Sequence, residues 1–195
     1  WRLLQTANGM LWLATEDGEL QMRDLDGRVF ERLHPGKGTG LPDGVFIEQI
    51  ARGPDGTLWL AGTHGLSRWN RQVRRFEPID GLSGERIYGF ATDAQGRVWL
   101  ARLGKVEAWQ LRGAALHREL VLDADAGVPL MAPAGIAVDA AGIVWLASVR
   151  GIMRIDPQVR STRVYGVRDG LPSQEFDAQP KVRPRDGRIL VGSPD

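Results

Sequence analysis

The chain contains no cysteine, which excludes disulfides, thiol nucleophiles and zinc sites with thiolate ligands. Long apolar runs are also absent: no stretch approaches about 20 apolar residues, so no segment is predicted to span a bilayer. Charge of one sign is not in excess, because 25 basic residues face 24 acidic ones, and this balance argues against nucleic-acid binding. With 195 residues and 43% hydrophobic content, the sequence predicts a soluble globular chain with a substantial core.

Recognisable catalytic motifs are lacking as well. The three histidines, His34, His64 and His117, are too scattered to suggest a catalytic triad or a metal site, and no nucleophile elbow, zinc-protease, kinase or phosphate-loop motif occurs. The glycine-rich stretch 36–44 lacks a strand-to-helix context and is interpreted as a surface connection, and the arginine-rich stretch 71–75 as solvated loop charge. The sequence therefore predicts no catalytic residue, no metal and no cofactor.

A glycine followed three positions later by a large apolar residue recurs through the chain. The apolar residue is Trp12, Trp59, Trp99, Trp145 or, in a fifth copy, Leu190. These reference positions, 12, 59, 99, 145 and 190, are separated by 47, 40, 46 and 45 residues, and such periods indicate a solenoid, a propeller or an array. A second glycine follows each tryptophan after five or six positions, and linkers of the Gly-Leu-Pro type separate the copies.

The local chemistry of each copy predicts strands. Runs such as TLWLA at 57–61 are apolar on consecutive positions, as in a strand covered on both faces. Asn8-Gly9, Asp55-Gly56 and Asp186-Gly187 are dipeptides favoured in tight hairpin turns. Strands rich in small residues, such as GIAV at 135–138, suit a crowded central axis. Four antiparallel strands per period of about 45 residues predict the blade of a β-propeller.

The predicted fold is therefore all-β: a β-propeller segment over residues 1–195, with about four four-stranded blades and a partial fifth at Leu190. Because propellers close with about four to eight blades, and because the chain starts at Trp1, we expect an arc excised from a larger ring of six or seven blades. An open arc leaves strand edges unpaired, so we expect this segment either to associate with another copy of itself through the open blade faces or to close into an unnatural small ring. A stable, dilute monomer with an open shape in sedimentation would contradict this expectation.

The chain resembles the two-component-regulator propeller family, the extracytoplasmic sensor repeats of hybrid histidine kinases and of some diguanylate cyclases. The resemblance rests on DGTLWLAGTHGLSRW at 55–69, QGRVWLARLGKVEAW at 95–109, AGIVWLASVRGIMRI at 141–155 and DGLPSQEF at 169–176, and it covers essentially the whole chain. Gln174 departs from the asparagine expected in the last motif. The resemblance implies a non-catalytic periplasmic sensor whose signal, by family precedent, is an oligosaccharide. It also implies a membrane-anchored parent with a kinase or cyclase output domain, although this segment is not expected to touch the membrane.

Two alternatives remain open on the residues alone. A propeller enzyme of the lactonase or streptogramin-lyase type would place metal-bound acids and a histidine in a central channel, whereas the inner strands offer Glu48, Gln49, Asp93 and Asp139 without a histidine. The turn aspartates are interpreted as partners of backbone amides rather than as metal ligands. A protein-assembly platform without any small ligand is the second alternative.

A candidate binding surface follows from strand order. In an up-and-down blade, the turns after the second and fourth strands lie on one face, and there the polar residues vary between copies while the neighbouring glycines do not. We call this surface the rim, and it is predicted to bind the ligand through Glu16, Asp17, Asp43, His64, Glu85, Arg150 and Gln174. The repeated tryptophans are interpreted as packing between blades rather than as carbohydrate platforms.

Overall fold

A computed structural model describes residues 2–5, 9–36, 38–113, 115–177, 179–182 and 187–193. Two of the predicted turn residues, Asn8 and Asp186, lie outside these ranges. The chain divides into two compact units, Trp1–Ile87 and Tyr88–Asp195, which we call unit 1 and unit 2. Within the described ranges the structure is all-β apart from two short 3-10 turns, and no helix there is long and apolar enough to cross a membrane.

Unit 1 contains two four-stranded antiparallel sheets, each with its strands in chain order. The first consists of β1 (Arg2–Gln5), β2 (Leu11–Ala14), β3 (Leu20–Arg23) and β4 (Val29–Leu33). The second consists of β5 (Ile47–Arg52), β6 (Leu58–Gly62), β7 (Gly65–Asn70) and β8 (Arg75–Ser83). The stretch at 55–69, which carries much of the repeat signal, forms the middle hairpin of the second sheet, as predicted.

Unit 2 contains two more sheets of the same kind and a terminal hairpin. Its first sheet consists of β9 (Gly89–Thr92), β10 (Arg97–Arg102), β11 (Lys105–Arg112) and β12 (Ala115–Leu122). Its second sheet consists of β13 (Gly135–Val138), β14 (Val144–Ser148), β15 (Gly151–Asp156) and β16 (Ser161–Tyr165). The separate terminal hairpin consists of β17 (Lys181–Val182) and β18 (Ile189–Leu190). The four repeats and the partial fifth are therefore confirmed.

The middle hairpins of the second, third and fourth sheets share one register even where a turn differs, whereas the first sheet pairs Trp12 with Met22, ten positions later. Trp59, Trp99 and Trp145 each lie opposite the residue nine positions later in the next strand. The second glycine of the third copy, Gly104, comes one place early, and the strand pairing absorbs this by closing with Arg102 opposite Lys105. The register is kept because both faces of these strands are buried, so a one-residue slip would reverse every side chain.

The repeated tryptophans pack in the cores, as predicted. Trp59 and Trp99 are fully buried and Trp12 is 8% exposed. Trp145, in the last complete sheet, is only half-buried and stacks on Tyr165, with ring centroids 6.2 Å apart. Its neighbour along the chain is the short hairpin β17–β18, which offers much less surface than a full sheet.

The turn aspartates hold the indoles in place. Trp59 donates its Nε1–H to Asp55 at 3.0 Å, and Trp99 and Trp145 donate to the aspartates six positions earlier, Asp93 at 2.8 Å and Asp139 at 2.9 Å. The other oxygen of both Asp93 and Asp139 accepts two backbone amides of its own turn. The interpretation as turn residues is confirmed, and the bond to the indole is an additional role that the sequence did not reveal.

Replacing Asp93 with alanine is expected to lower the free energy of unfolding of unit 2 by about 1–3 kcal/mol, because a buried indole N–H loses its acceptor. Asp93 also bonds Arg97 at 2.7 Å. Although burial acts in the opposite direction, the bonds from Trp99 and Arg97 hold the pKa of Asp93 below its ordinary value. The matched control is Asp139→Ala beside the half-buried Trp145, where water replaces the carboxylate and the loss should be smaller. Urea unfolding measures both, and equal losses would contradict the argument.

Candidate functional site

The rim residues of unit 1 lie on adjoining loops. Glu16 and Asp17 are exposed in the β2–β3 turn, and Asp43 is exposed in the linker between β4 and β5. His64 occupies the β6–β7 turn, and its carbonyl accepts the backbone amide of Gly84 at 2.9 Å, which places the segment of Glu85 beside this turn. The turns after the second strands and the linkers after the fourth strands therefore adjoin in unit 1, as strand order predicts.

The rim residues of unit 2 are linked directly. Gln174 donates its Nε2–H to the carbonyl of Arg150 at 2.7 Å, and its Oε1 accepts the backbone amide of Val167 at 3.4 Å. The amide thus ties the linker after β16 to the β14–β15 turn. This gives a structural reason for glutamine at the position where asparagine was expected, since the longer side chain reaches both loops.

His64 differs from the other rim residues because both of its ring nitrogens are buried and have no hydrogen-bond partner among the described residues. Burial lowers the pKa of His64 to about 4. The imidazole is therefore neutral at neutral pH, and its nitrogens do not face solvent. Asp17, by contrast, is exposed and accepts a hydrogen bond from Thr15, which lowers the pKa of Asp17. Ligand binding at the rim stays a prediction.

The acids on the inner strands serve the scaffold. Glu48 is buried, and one of its carboxylate oxygens accepts a hydrogen bond from Arg86 Nε at 2.7 Å. Arg2 Nη2 lies 3.5 Å from the other carboxylate oxygen. Asp93 and Asp139 accept the indole hydrogens described above. Within the described part of the chain, no group of three or more acidic or histidine side chains is arranged to hold a metal ion.

A cleft of about 710 Å³ opens in unit 1, on the side of the turns that follow the first and third strands. It therefore lies at the opposite ends of the strands from the rim. Its apolar lining consists of Leu4, Met10, Trp12, Met22, Leu58 and Trp69. Its charged lining consists of Glu31, Arg52, Asp55, Arg71 and Arg74. This volume is in the range of small-molecule binding sites.

Sequence reasoning missed this cleft. Trp69 was considered only as the last residue of the repeat stretch 55–69, and the arginines of 71–75 only as solvated loop charge. The signal available in the sequence was an exposed-type, arginine-rich turn directly after a tryptophan, since Trp69 is followed by RQVRR at 71–75. In the structure, Arg71 and Arg74 of that turn line the same cleft as Trp12 and Trp69.

No protein-family model matches the chain, and no curated protein sequence matches it either. Solved structures do resemble it. The extracellular domain assigned to the hybrid two-component system BT4673 from B. thetaiotaomicron superposes with a TM-score of 0.74 and 20% identity, over 98% of this chain and 28% of that one. The chain thus spans about a quarter of the length of that domain.

Two enzymes share the architecture. The gluconolactonase XC5397 from Xanthomonas campestris has a TM-score of 0.72 and 15% identity, over 97% of this chain and 67% of its own. Virginiamycin B lyase from Staphylococcus aureus has a TM-score of 0.61 and 10% identity, over 97% and 68%. Together with the four-stranded sheets, these neighbours establish the β-propeller fold, and they include the class of sensor domain that the sequence motifs indicate.

Proposed function

We propose that this chain is a non-catalytic segment of the extracytoplasmic sensor region of a signal-transduction protein, a histidine kinase or a diguanylate cyclase. The observation that carries the proposal is the superposition of 98% of the chain on an extracellular two-component domain, in a sequence that carries the matching repeat motifs. The proposed location is the periplasm. The proposed signal is an oligosaccharide or another small solute.

Signalling by such a segment requires a ligand that binds one arrangement of the sensor more tightly than another, since only differential affinity shifts an equilibrium. The fold supports this role because its loops are fixed to the sheets. Aspartates hold the indoles in the cores, and Gln174 fastens the linker to the β14–β15 turn. Binding energy at such loops would be transmitted to the sheets rather than lost in local motion.

A propeller enzyme is the second candidate, and the TM-score of 0.72 to a gluconolactonase supports it. The experiment that separates the two is calorimetric titration of the chain with Ca²⁺, Mg²⁺, Mn²⁺ and Zn²⁺, combined with an assay of lactone hydrolysis. The sensor proposal expects neither tight metal binding nor turnover. A tightly bound ion accompanied by hydrolysis would replace it with the enzyme.

The sensor proposal also makes a positive prediction for the full-length protein. Reversing charge on the rim, with Asp43→Lys in unit 1 or Arg150→Glu in unit 2, is expected to reduce the signal-dependent change in kinase or cyclase output and to leave basal output unchanged. Both side chains are exposed, so folding should not be affected. An undiminished response in both variants would refute the role of the rim.

A further inference from the structure

The cleft of unit 1 is an opening that the repeated architecture does not require. Trp12 corresponds to Trp99 in unit 2, because both are the reference tryptophan of their repeat. Trp69 corresponds to Ile155, because each lies ten positions after the reference tryptophan of the following repeat. Trp99 and Ile155 are completely buried in one apolar cluster. In unit 1 the corresponding pair includes Trp69, which is half-buried and borders the cleft. The space between these two repeat positions is therefore filled by apolar side chains in unit 2, whereas in unit 1 it is a cleft.

Trp12 and Trp69 form the aromatic wall of the cleft, and ring contacts hold both indoles. The ring centroids of Trp12 and Trp69 are 6.3 Å apart, with their planes inclined at 57°. Phe76 supports Trp69 at 5.0 Å, and the two residues lie opposite each other in the β7–β8 ladder. A fixed indole presents a large flat surface and loses little conformational freedom when a ligand covers it.

Most of the charged groups around this wall are already engaged. Arg74 pairs with Glu31 at 2.5 Å, and Arg52 donates to the carbonyl of Gly56 at 3.0 Å. Asp55 accepts the indole hydrogen of Trp59 and the backbone amide of Thr57.

Arg71 is the exception. It is exposed at the cleft and makes no hydrogen bond or ion pair with any other described residue. The lining has three arginines against two acids, so the unbalanced charge beside the indoles is a guanidinium.

We propose that this cleft binds an acidic saccharide, an oligosaccharide fragment that contains a uronic acid. The apolar face of a pyranose ring would pack on Trp69, and the carboxylate would pair with the planar fork of Arg71. The Glu31 and Asp55 carboxylates each use one oxygen in the contacts above, and the second oxygen can accept a sugar hydroxyl, which favours a polyhydroxylated ligand over a purely aromatic acid. The cleft volume admits more than one sugar ring. This inference rests on the proposed sensor function and names the chemistry of its signal.

The test is calorimetric titration of the chain with a panel of short oligosaccharides of galacturonate, glucuronate and mannuronate, each paired with its neutral counterpart. At least one uronate is expected to bind more tightly than its neutral partner. Arg71→Ala should weaken that binding about tenfold or more and leave any binding of the neutral sugar unchanged, because a charge-assisted hydrogen bond is lost. Trp69→Ala should weaken both by about fivefold or more.

Two controls keep the test independent of folding. Arg75 belongs to the same hairpin but lies outside the cleft lining and pairs with Glu77 at 3.7 Å, so Arg75→Ala should leave affinity unchanged. Trp69→Phe keeps a ring at the wall and should restore most of the affinity that Trp69→Ala loses. Thermal unfolding of every variant shows whether unit 1 remains folded.

The outcomes separate this inference from the sensor proposal. Sugar binding that is insensitive to Arg71→Ala and Trp69→Ala but is lost with Arg150→Glu would overturn the cleft and keep the sensor. Absence of binding by every uronate in the panel would also overturn the cleft. Metal binding with lactone turnover would remove the sensor proposal itself.

Discussion

Replacing Gly40 with alanine is expected to destabilise unit 1 by about 4 kcal/mol or more, which is a large part of the stability of a typical domain. Gly40 has a φ of 78°, and a Cβ atom there would lie 1.8 Å from the carbonyl oxygen of Phe76. The linker must then move away from β8. That movement breaks the bond from the Phe76 amide to Thr39 and withdraws the buried Leu41 from the core.

Gly81 provides a matched control. It stands at the same position of the next Gly-Leu motif, which lies near the end of β8, has a φ of 77°, and is also followed by a buried leucine, Leu82. Nothing lies within 4 Å of the site where its Cβ would be. Gly81→Ala should therefore cost only the left-handed backbone strain, about 1–2 kcal/mol. Urea unfolding of both variants measures the difference, and similar losses would show that backbone strain alone governs this motif.

These two glycines also show what the sequence can and cannot predict. The repeat predicted the four sheets, the partial fifth and the packing of the tryptophans, because periodic apolar runs and turn dipeptides are local signals. Gly40 and Gly81 are indistinguishable by those signals. Their difference depends on which strand packs against the linker, and that is decided by tertiary contacts.

The candidate site was predicted less well, for a related reason. Strand order correctly placed the rim residues on adjoining loops, but it could not show that the Gln174 amide is occupied or that the nitrogens of His64 are buried. The cleft was not predicted because it arises from a difference between two copies of one motif. Trp69 and Ile155 occupy the same repeat position, but Trp69 borders the cleft whereas Ile155 is buried in an apolar cluster. The pattern alone predicts apolar packing at both positions.

Lowering the pH from about 6.5 to 4 is expected to reduce the stability of unit 1 through His64. The folded chain holds the pKa of His64 at about 4, below its ordinary value of 6.5, so the unfolded chain binds the proton first. Stability is therefore unaffected by this group above pH 6.5, falls as the pH drops towards 4, and loses nothing further from it below 4. The loss amounts to at most about 3 kcal/mol.

The variant His64→Leu should remove this pH dependence, because leucine does not titrate. It should also raise the stability of unit 1 at pH 7 by about 1 kcal/mol, since two buried nitrogens without partners are replaced by an apolar side chain. The exposed His117 offers a control, and His117→Gln should keep the wild-type profile. Asp17, Asp93 and Asp169 have pKa values held below 3.8, so their contributions are lost only at lower pH. Urea unfolding at half-unit steps from pH 7.5 to 4 measures the profile, and a slope that persists in His64→Leu would assign the acid sensitivity to another group.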